Sequence, residues 1–243
     1  MIIYPDVHLA RFISRPNRFI AECRLQETGE QVTVHVKNTG RGREVFLPEA
    51  QVALSYRPSP KRKTDYDLIA VKKGSQWFNI DSQIPNALAA EALLAGDIIL
   101  PELKGSIQTL KREKKYANSQ FDIFIQTDAG QEAFVEVKGM TLENHGIGAF
   151  PDAPTLRGLK HVRELTQAIT QDYQCYVLFI IQFEQVTTAT INAEMQPQLK
   201  QAISEGQDQG LQVLAYNCQV TPESIHVLRA VPFDLEQPFI QPN

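Results

Sequence analysis

Three charged residues stand where a short hairpin would gain more from apolar side chains: Asp122, Glu136 and Lys138, in the stretch FDIFIQTDAGQEAFVEVKG from Phe121 to Gly139. Both arms are rich in Phe, Ile and Val, and Gly130 between them can take the positive φ of a tight loop. With a three-residue loop, Asp128 to Gly130, Thr127 opposes Gln131. Counting outward, Asp122 then opposes Glu136, with Cβ atoms about 4.5–5.5 Å apart. Lys138 shares the face of Glu136, while Val135 and Val137 point the other way. A two- or four-residue loop would instead set Asp122 against Val137 or Val135.

Like charges directly opposed destabilise a sheet unless a positive group lies between them. Lys138 can supply that charge, and the plainer reading is an ion-pair cluster on a solvated sheet face. The sharper reading is a divalent metal site. Two carboxylates from adjacent strands suit Mg²⁺ or Mn²⁺, the waters and a substrate phosphate completing the shell. A lysine beside them would orient an attacking water or stabilise charge on the phosphoryl group.

The elements around this hairpin divide the chain in two. Residues 8 to about 82 read as all-β: RFIAECRLQ, EQVTVHVKN, QVALSYR and DLIAVKKG are separated by turn signals at Thr28-Gly29, Thr39-Gly40 and Pro58-Ser59-Pro60. About five short strands in this length suggest a small barrel of the OB type. Its cations are grouped as Arg11, Arg15 and Arg18, interleaved with Phe12 and Phe19, and as Lys61-Arg62-Lys63. Basic side chains beside aromatics suit single-stranded nucleic acid, although core positions are the more ordinary fate of the two rings.

The second part alternates helices and strands. NALAAEALLAG reads as a helix with Asn86 as N-cap and Gly96 past its end, and Glu91 is its lone carboxylate, read as a thin solvated edge. A long loop carrying His145, Gly146, Gly148 and Phe150-Pro151-Asp152 follows the hairpin. Thr155 then caps a helix whose apolar face is Leu156, Leu159, Val162, Leu165 and Ile169. Arg157, Lys160, His161 and Glu164 form a stripe, on which Lys160 and His161 would look towards the carboxylates or a phosphate backbone. YVLFIIQF is a strand buried on both faces, and a helix near Pro197 to Glu205 and the strand LQVLAY complete a mixed sheet with helices on both sides, an α/β domain.

Composition is consistent with this division. Of 243 residues 43% are apolar, enough for a sizeable core, and the net charge of −4 is split. Residues 1–82 hold 13 Lys and Arg against 9 Asp and Glu, and residues 83–243 hold 11 against 19, a basic module followed by an acidic one. Cys23, Cys175 and Cys218 are too few and too far apart for a disulfide framework or thiolate metal site. The N-terminus lacks an apolar targeting segment, and the longest apolar run, Tyr176 to Ile181, is far short of the roughly 20 residues of a membrane span. A cytoplasmic location without membrane contact is expected.

The segments FVEVKGMTL, FPDAPTLRGLKHVREL, HVKNTGRG, RPSPKRK and GLQVLAY, together with the spacing between them, resemble the sugar fermentation stimulation protein (SfsA) family from about Arg11 to the last strand. The resemblance implies an OB-like nucleic-acid-binding barrel, residues 1–82, joined to a PD-(D/E)XK nuclease-like α/β domain, residues 83–243. It also implies DNA binding, with single-stranded DNA or RNA as variants, and a role in controlling sugar utilisation, notably maltose. The superfamily's metal-binding Asp falls on Asp122, its E-x-K on Glu136 and Lys138, and its helix carboxylate on Glu91; the helix after the hairpin contributes Lys160 and His161, alongside Arg157. A metal-dependent phosphodiesterase follows from these residues, and a non-catalytic regulator or interaction module on the same scaffold is the alternative. Two departures stand out. Gln120, opposite Lys138 in the hairpin register, replaces the family's usual Arg, and Arg41-Gly42 after the Asn-Thr-Gly segment adds a charge available to phosphate.

Overall fold

A computed structural model describes residues 1–38 and 40–242. Thr39, read above as part of a turn with Gly40, lies outside the described residues. A two-residue strand, β1 (Ile2–Ile3), leads into β2 (Val7–Asn17), β3 (Ile20–Leu25), β4 (Gln31–Val36), β5 (Gln51–Tyr56), β6 (Tyr66–Lys73) and β7 (Gln76–Asn79). The antiparallel order β4-β3-β2-β5-β6 closes through a parallel pairing of β4 with β6, Val34 opposite Tyr66, so five strands form a barrel with β7 appended. Period-two patterning drives this closure: Ala10, Phe12, Ala21, Cys23, Val34 and Val36 fill the interior while Arg11 and Arg24 face out.

Strands β5 and β6 are buried on both faces. Val52, Leu54, Leu68 and Val71 belong to the barrel core, whereas Ala53, Ile69 and Ala70 pack with Leu88 and Leu93 of the next helix. The barrel is therefore fused to the following domain through an apolar face, and Phe78 stacks on Phe183 across it with ring centroids 4.5 Å apart.

That helix is α1 (Ile84–Ala95), followed by β8 (Ile107–Tyr116), β9 (Ser119–Thr127), β10 (Glu132–Met140), β11 (Leu142–Asn144), β12 (Ile147–Phe150), α2 (Leu156–Ile169), β13 (Gln174–Ile181), β14 (Thr188–Ile191), α3 (Pro197–Gln207), β15 (Gln212–Val220) and β16 (Ser224–Ala230). The main sheet has the order β1-β16-β15-β13-β10-β9-β8, with a parallel centre of β15, β13 and β10 flanked by antiparallel pairs. β1 thus belongs to this sheet although it precedes the barrel in the chain. The centre is apolar on both faces, as a doubly covered sheet requires: Val177 and Phe179 face α2 and α3, and Leu178 and Ile180 face α1. The expected buried strand is β13.

Helix ends follow local chemistry in part. The Thr155 hydroxyl accepts the Gly158 N–H at 3.0 Å, and Gly96 closes α1 at φ 81°. The expected cap at Asn86 is corrected: α1 starts earlier, with Gln83 at its N-cap and Pro85 in its first turn, because proline's fixed φ suits a first turn. The region read as a long loop after the hairpin instead forms β11 and β12, which with β14 make a separate three-stranded sheet. Phe12 is buried as expected, but Phe19 is 55% exposed, held at the β2–β3 turn where Asn17 Oδ1 accepts its N–H.

Candidate functional site

The β9–β10 hairpin has the expected three-residue loop. The Thr127 N–H donates to Gln131 O at 2.9 Å, Gly130 takes φ 77°, and Gln126 opposes Glu132, Phe124 opposes Phe134 and Ile123 opposes Val135. The ladder then stops, one pair short of Asp122 and Glu136. On the other side of β9, Ile123 pairs with Arg112 and Phe121 with Lys114, which passes over Asp122; Glu113, facing it, has φ 57°. Phe121 packs in the core on the α2 side and Ile123 in the core on the α1 side, although a regular strand would point both the same way. β9 runs on through Asp122 but is irregular and unpaired there, and the Asp122 carboxylate does the work of the missing ladder: Oδ2 accepts the Val137 N–H at 2.8 Å.

Oδ1 of Asp122 accepts from Asn86 Nδ2 at 2.7 Å, so the first turn of α1 orients this carboxylate. Glu136 is 1% exposed; its Oε1 is held by Lys138 Nζ and by Nδ1 of the buried His161 on α2, while its Oε2 is buried without a hydrogen-bond partner. Burial pushes the Asp122 carboxyl up, and the Glu136 charge adds to this against the opposing pull of Lys138, the Val137 N–H and Asn86. Burial also pushes Glu136 up, but His161 and Lys138 outweigh it and hold Glu136 below the usual carboxylate range. The two acids are thus pushed apart by their surroundings, as at sites tuned for chemistry.

The structure brings Asp122, Glu136, Lys138 and His161 together and separates the other residues named with them. Glu91 is half exposed and pairs with the N-terminal ammonium of Met1 beside β16. It lies five residues beyond Asn86, which rotates it about 140° around the helix, so one helix cannot aim both at Asp122. Lys160 donates to Asn118 O at 2.7 Å on the β8–β9 turn and approaches Glu164 at 3.6 Å; it caps that turn instead of facing the carboxylates. Arg157 is exposed on the first turn of α2. Gln120 pairs with Lys115 of β8 and its amide reaches Glu113 at 3.3 Å, because the hairpin has already opened where Lys138 would have opposed it. Among the described residues no group of three or more His, Cys, Asp or Glu is arranged to hold a metal, so any donor set here is the two carboxylates with water or substrate.

On the barrel, Arg15 is half-buried and committed to backbone. Its guanidinium donates to the carbonyls of Arg18, Asn38, Gly40 and Arg41 at 2.6–3.0 Å and stacks on Phe46 at 4.6 Å. It is therefore a fastener for the loop and not a surface contact. Arg62 is paired with the buried Asp67, which also takes Lys37 at 3.0 Å. Arg11 donates to Glu49 O at 3.0 Å but stays exposed, and Arg18, Arg41, Lys61 and Lys63 are exposed. Sequence reasoning missed Asn86, read as a cap, and Arg43, exposed beside Arg41. It also passed over the run Lys111, Arg112, Lys114, Lys115, which lies exposed on the edge strand β8; the charge run itself was the available signal.

A closed five-stranded barrel of OB type, fused to a mixed sheet covered by helices that carries a carboxylate-lysine cluster on its β9–β10 hairpin, defines a two-domain protein. Residues 13–80 match the SfsA N-terminal OB domain and residues 83–224 the sugar fermentation stimulation protein RE domain. The chain belongs to the sugar fermentation stimulation protein family. It is 58% identical over 240 residues to a sugar fermentation stimulation protein homolog of Enterococcus mundtii, covering 99% of each, and 43% identical over 223 residues to one from Desulfitobacterium hafniense strain Y51, covering 91% and 93%. Its fold is shared with Pyrococcus furiosus SfsA, solved in complex with Ca²⁺: 23% identity, a TM-score of 0.83, and coverage of 96% and 98% of the two chains.

Proposed function

We propose that the protein is a cytoplasmic DNA-binding phosphodiesterase in which Asp122 and Glu136 hold Mg²⁺ or Mn²⁺. The observation that carries this reading is the Glu136 Oε2 atom, buried and unpartnered beside a second carboxylate. A buried polar atom left unbonded costs about 1–3 kcal/mol unless a ligand completes it. The Ca²⁺ in the Pyrococcus furiosus relative supports a hard divalent cation. When bound, such an ion polarises phosphoryl oxygens and lowers the pKa of a coordinated water.

The chain's own residues supply the rest. His161 donates to Glu136 and fixes its carboxylate; Asn86 and the Val137 N–H fix Asp122; the Lys138 ammonium, about one-fifth exposed, orients the nucleophile or meets charge on the phosphoryl oxygens. Within the family's association with sugar utilisation, maltose in particular, a second reading is a DNA-binding regulator that does not cut. Glu136 favours it in one respect, since the Lys138 ammonium already offers it positive charge and His161 already occupies the same oxygen.

The test is Mg²⁺- and Mn²⁺-dependent cleavage of labelled single- and double-stranded DNA by the native protein, Asp122→Ala and Lys138→Ala at equal DNA occupancy. Metal-dependent cutting by the native protein, lost in both variants, is the expected result. Binding without cutting on every substrate removes the hydrolytic reading in favour of the regulator.

A further inference from the structure

A cleft of about 360 Å³ runs between the two domains. Arg18, Asn38, Gly40 and Ser82 line its barrel side, and Gly139, Met140 and Thr141 line the other, so it reaches the end of β10, the strand that also carries Glu136 and Lys138. At its barrel end it adjoins a second depression of about 250 Å³ bordered by Arg15, Asn17, Arg18, Gly40, Arg41 and Arg43. Arg18 belongs to both.

Arg18, Arg41 and Arg43 are exposed and make no ion pair among the described residues, whereas Arg24 and Arg62 on the same barrel do. Unpaired guanidiniums packed this closely repel one another and call for an anionic partner. The loop presenting them is fastened from within by Arg15, whose bonds hold the backbone of Arg18, Asn38, Gly40 and Arg41, and by the Gly42 N–H donating to Asp152 Oδ2 at 3.0 Å. Asp152 is the acid of the cleft; it faces the Gly42 N–H and the Arg15 charge, which offset its repulsion of a phosphate. The partly buried ring of Phe150 lines the cleft, so aromatic surface stands along its wall.

We propose that this cleft threads one unpaired nucleic-acid strand, with phosphates on Arg18, Arg41 and Arg43 and a base against Phe150, and carries it towards β10, the strand of Glu136 and Lys138. The inference rests on the nucleic-acid reading above and adds strandedness and path to it. The cleft is at the small end of ligand pockets, room for on the order of one nucleotide at a time, and two paired strands exceed it. Cations following the backbone with a ring for a base are the features that favour single strands without sequence readout.

The test is fluorescence anisotropy of a short labelled oligothymidylate and of a duplex of the same length, in EDTA so that no cleavage occurs. Native protein is compared with the triple variant Arg18→Ala, Arg41→Ala, Arg43→Ala and with Lys111→Ala, Arg112→Ala, Lys115→Ala, which removes as much charge from β8, away from the cleft. The single strand should bind at least about tenfold tighter than the duplex, as one stacked base would supply. Three lost phosphate contacts at about 0.7 each should cut the slope of log K against log salt by about 2 in the first variant and leave it nearly unchanged in the second. Circular dichroism confirms that each variant is folded. A duplex bound as tightly as the strand, equal losses in both variants, or no binding of either probe overturns the proposal. The cleavage assay above, with duplex included, separates that failure from failure of the nuclease reading.

Discussion

Glu44 offers a sharp test of how the two domains are joined. It sits just past Arg43, 6% exposed, with one carboxylate oxygen buried and unpartnered, and Lys73, Glu143 and Asp152 are the charges around it. Lys73 is committed to Glu143, donating to its Oε2 at 2.6 Å and to its backbone carbonyl at 3.0 Å. Burial, aided by the Asp152 and Glu143 charges, pushes the Glu44 carboxyl from 4.5 up to about 7. The folded protein therefore holds the proton more tightly than the unfolded chain. Its contribution is fully present below pH 4.5 and is lost as the pH rises through about 7. At 1.36 kcal/mol per pH unit the loss amounts to about 3 kcal/mol. Glu44→Gln keeps the shape of the protonated acid without its titration. The variant should match the native protein at about pH 5 and exceed it at about pH 8.5 by up to 3 kcal/mol, or roughly 6–12 °C in Tm for a chain of this size. Thermal and urea melts of both proteins across that range make the comparison. Parallel pH profiles, or a variant weaker than native at the alkaline end, would refute the assignment of a buried, poorly paired carboxyl at this junction.

Two further outcomes bear on the carboxylate site. His161→Ala leaves Glu136 Oε1 with Lys138 alone, and isothermal titration with Mn²⁺ should show affinity reduced roughly 10–100-fold, partly restored by His161→Gln; an unchanged isotherm would remove His161 from the positioning role. Glu91→Ala, by contrast, should leave divalent binding and cleavage at native levels and shift stability by less than about 1 kcal/mol, because its exposed partner is the chain terminus; loss of cleavage would mean that the helix carboxylate acts at the site after all.

Much of this molecule was legible where side-chain spacing alone sets the answer. The hairpin loop, the alternation of the barrel strands, the Thr155 cap, the Gly96 stop and the doubly buried β13 depend on residues within a few positions of one another, and each local preference agrees with the fold. The grouping of Asp122 with Glu136 and Lys138 was legible for the same reason. The way they meet was not. A register argument assumes continuous pairing, and Asp122 is left unpaired by β8 on one side and by β10 on the other.

Tertiary packing decided the remainder. Whether α1 offers Asn86 or Glu91 to the site depends on its rotation against the sheet, set by Leu88 and Leu93 packing with Val135 of the sheet and with Ile69 across the domain boundary; apolar periodicity is silent because nearly the whole helix is apolar. Arg15 and Arg18 are three residues apart, yet four backbone carbonyls engage the guanidinium of the first and leave that of the second exposed. The strands β11, β12 and β14 are three or four residues long, too short to mark themselves by alternation, and β12 finds β14 about forty residues further along the chain. Local periodicity determined the elements and the chemistry they carry. Which side chains that chemistry finally includes was settled by contacts between elements distant in the chain, where burial and unsatisfied backbone groups outweigh local preference.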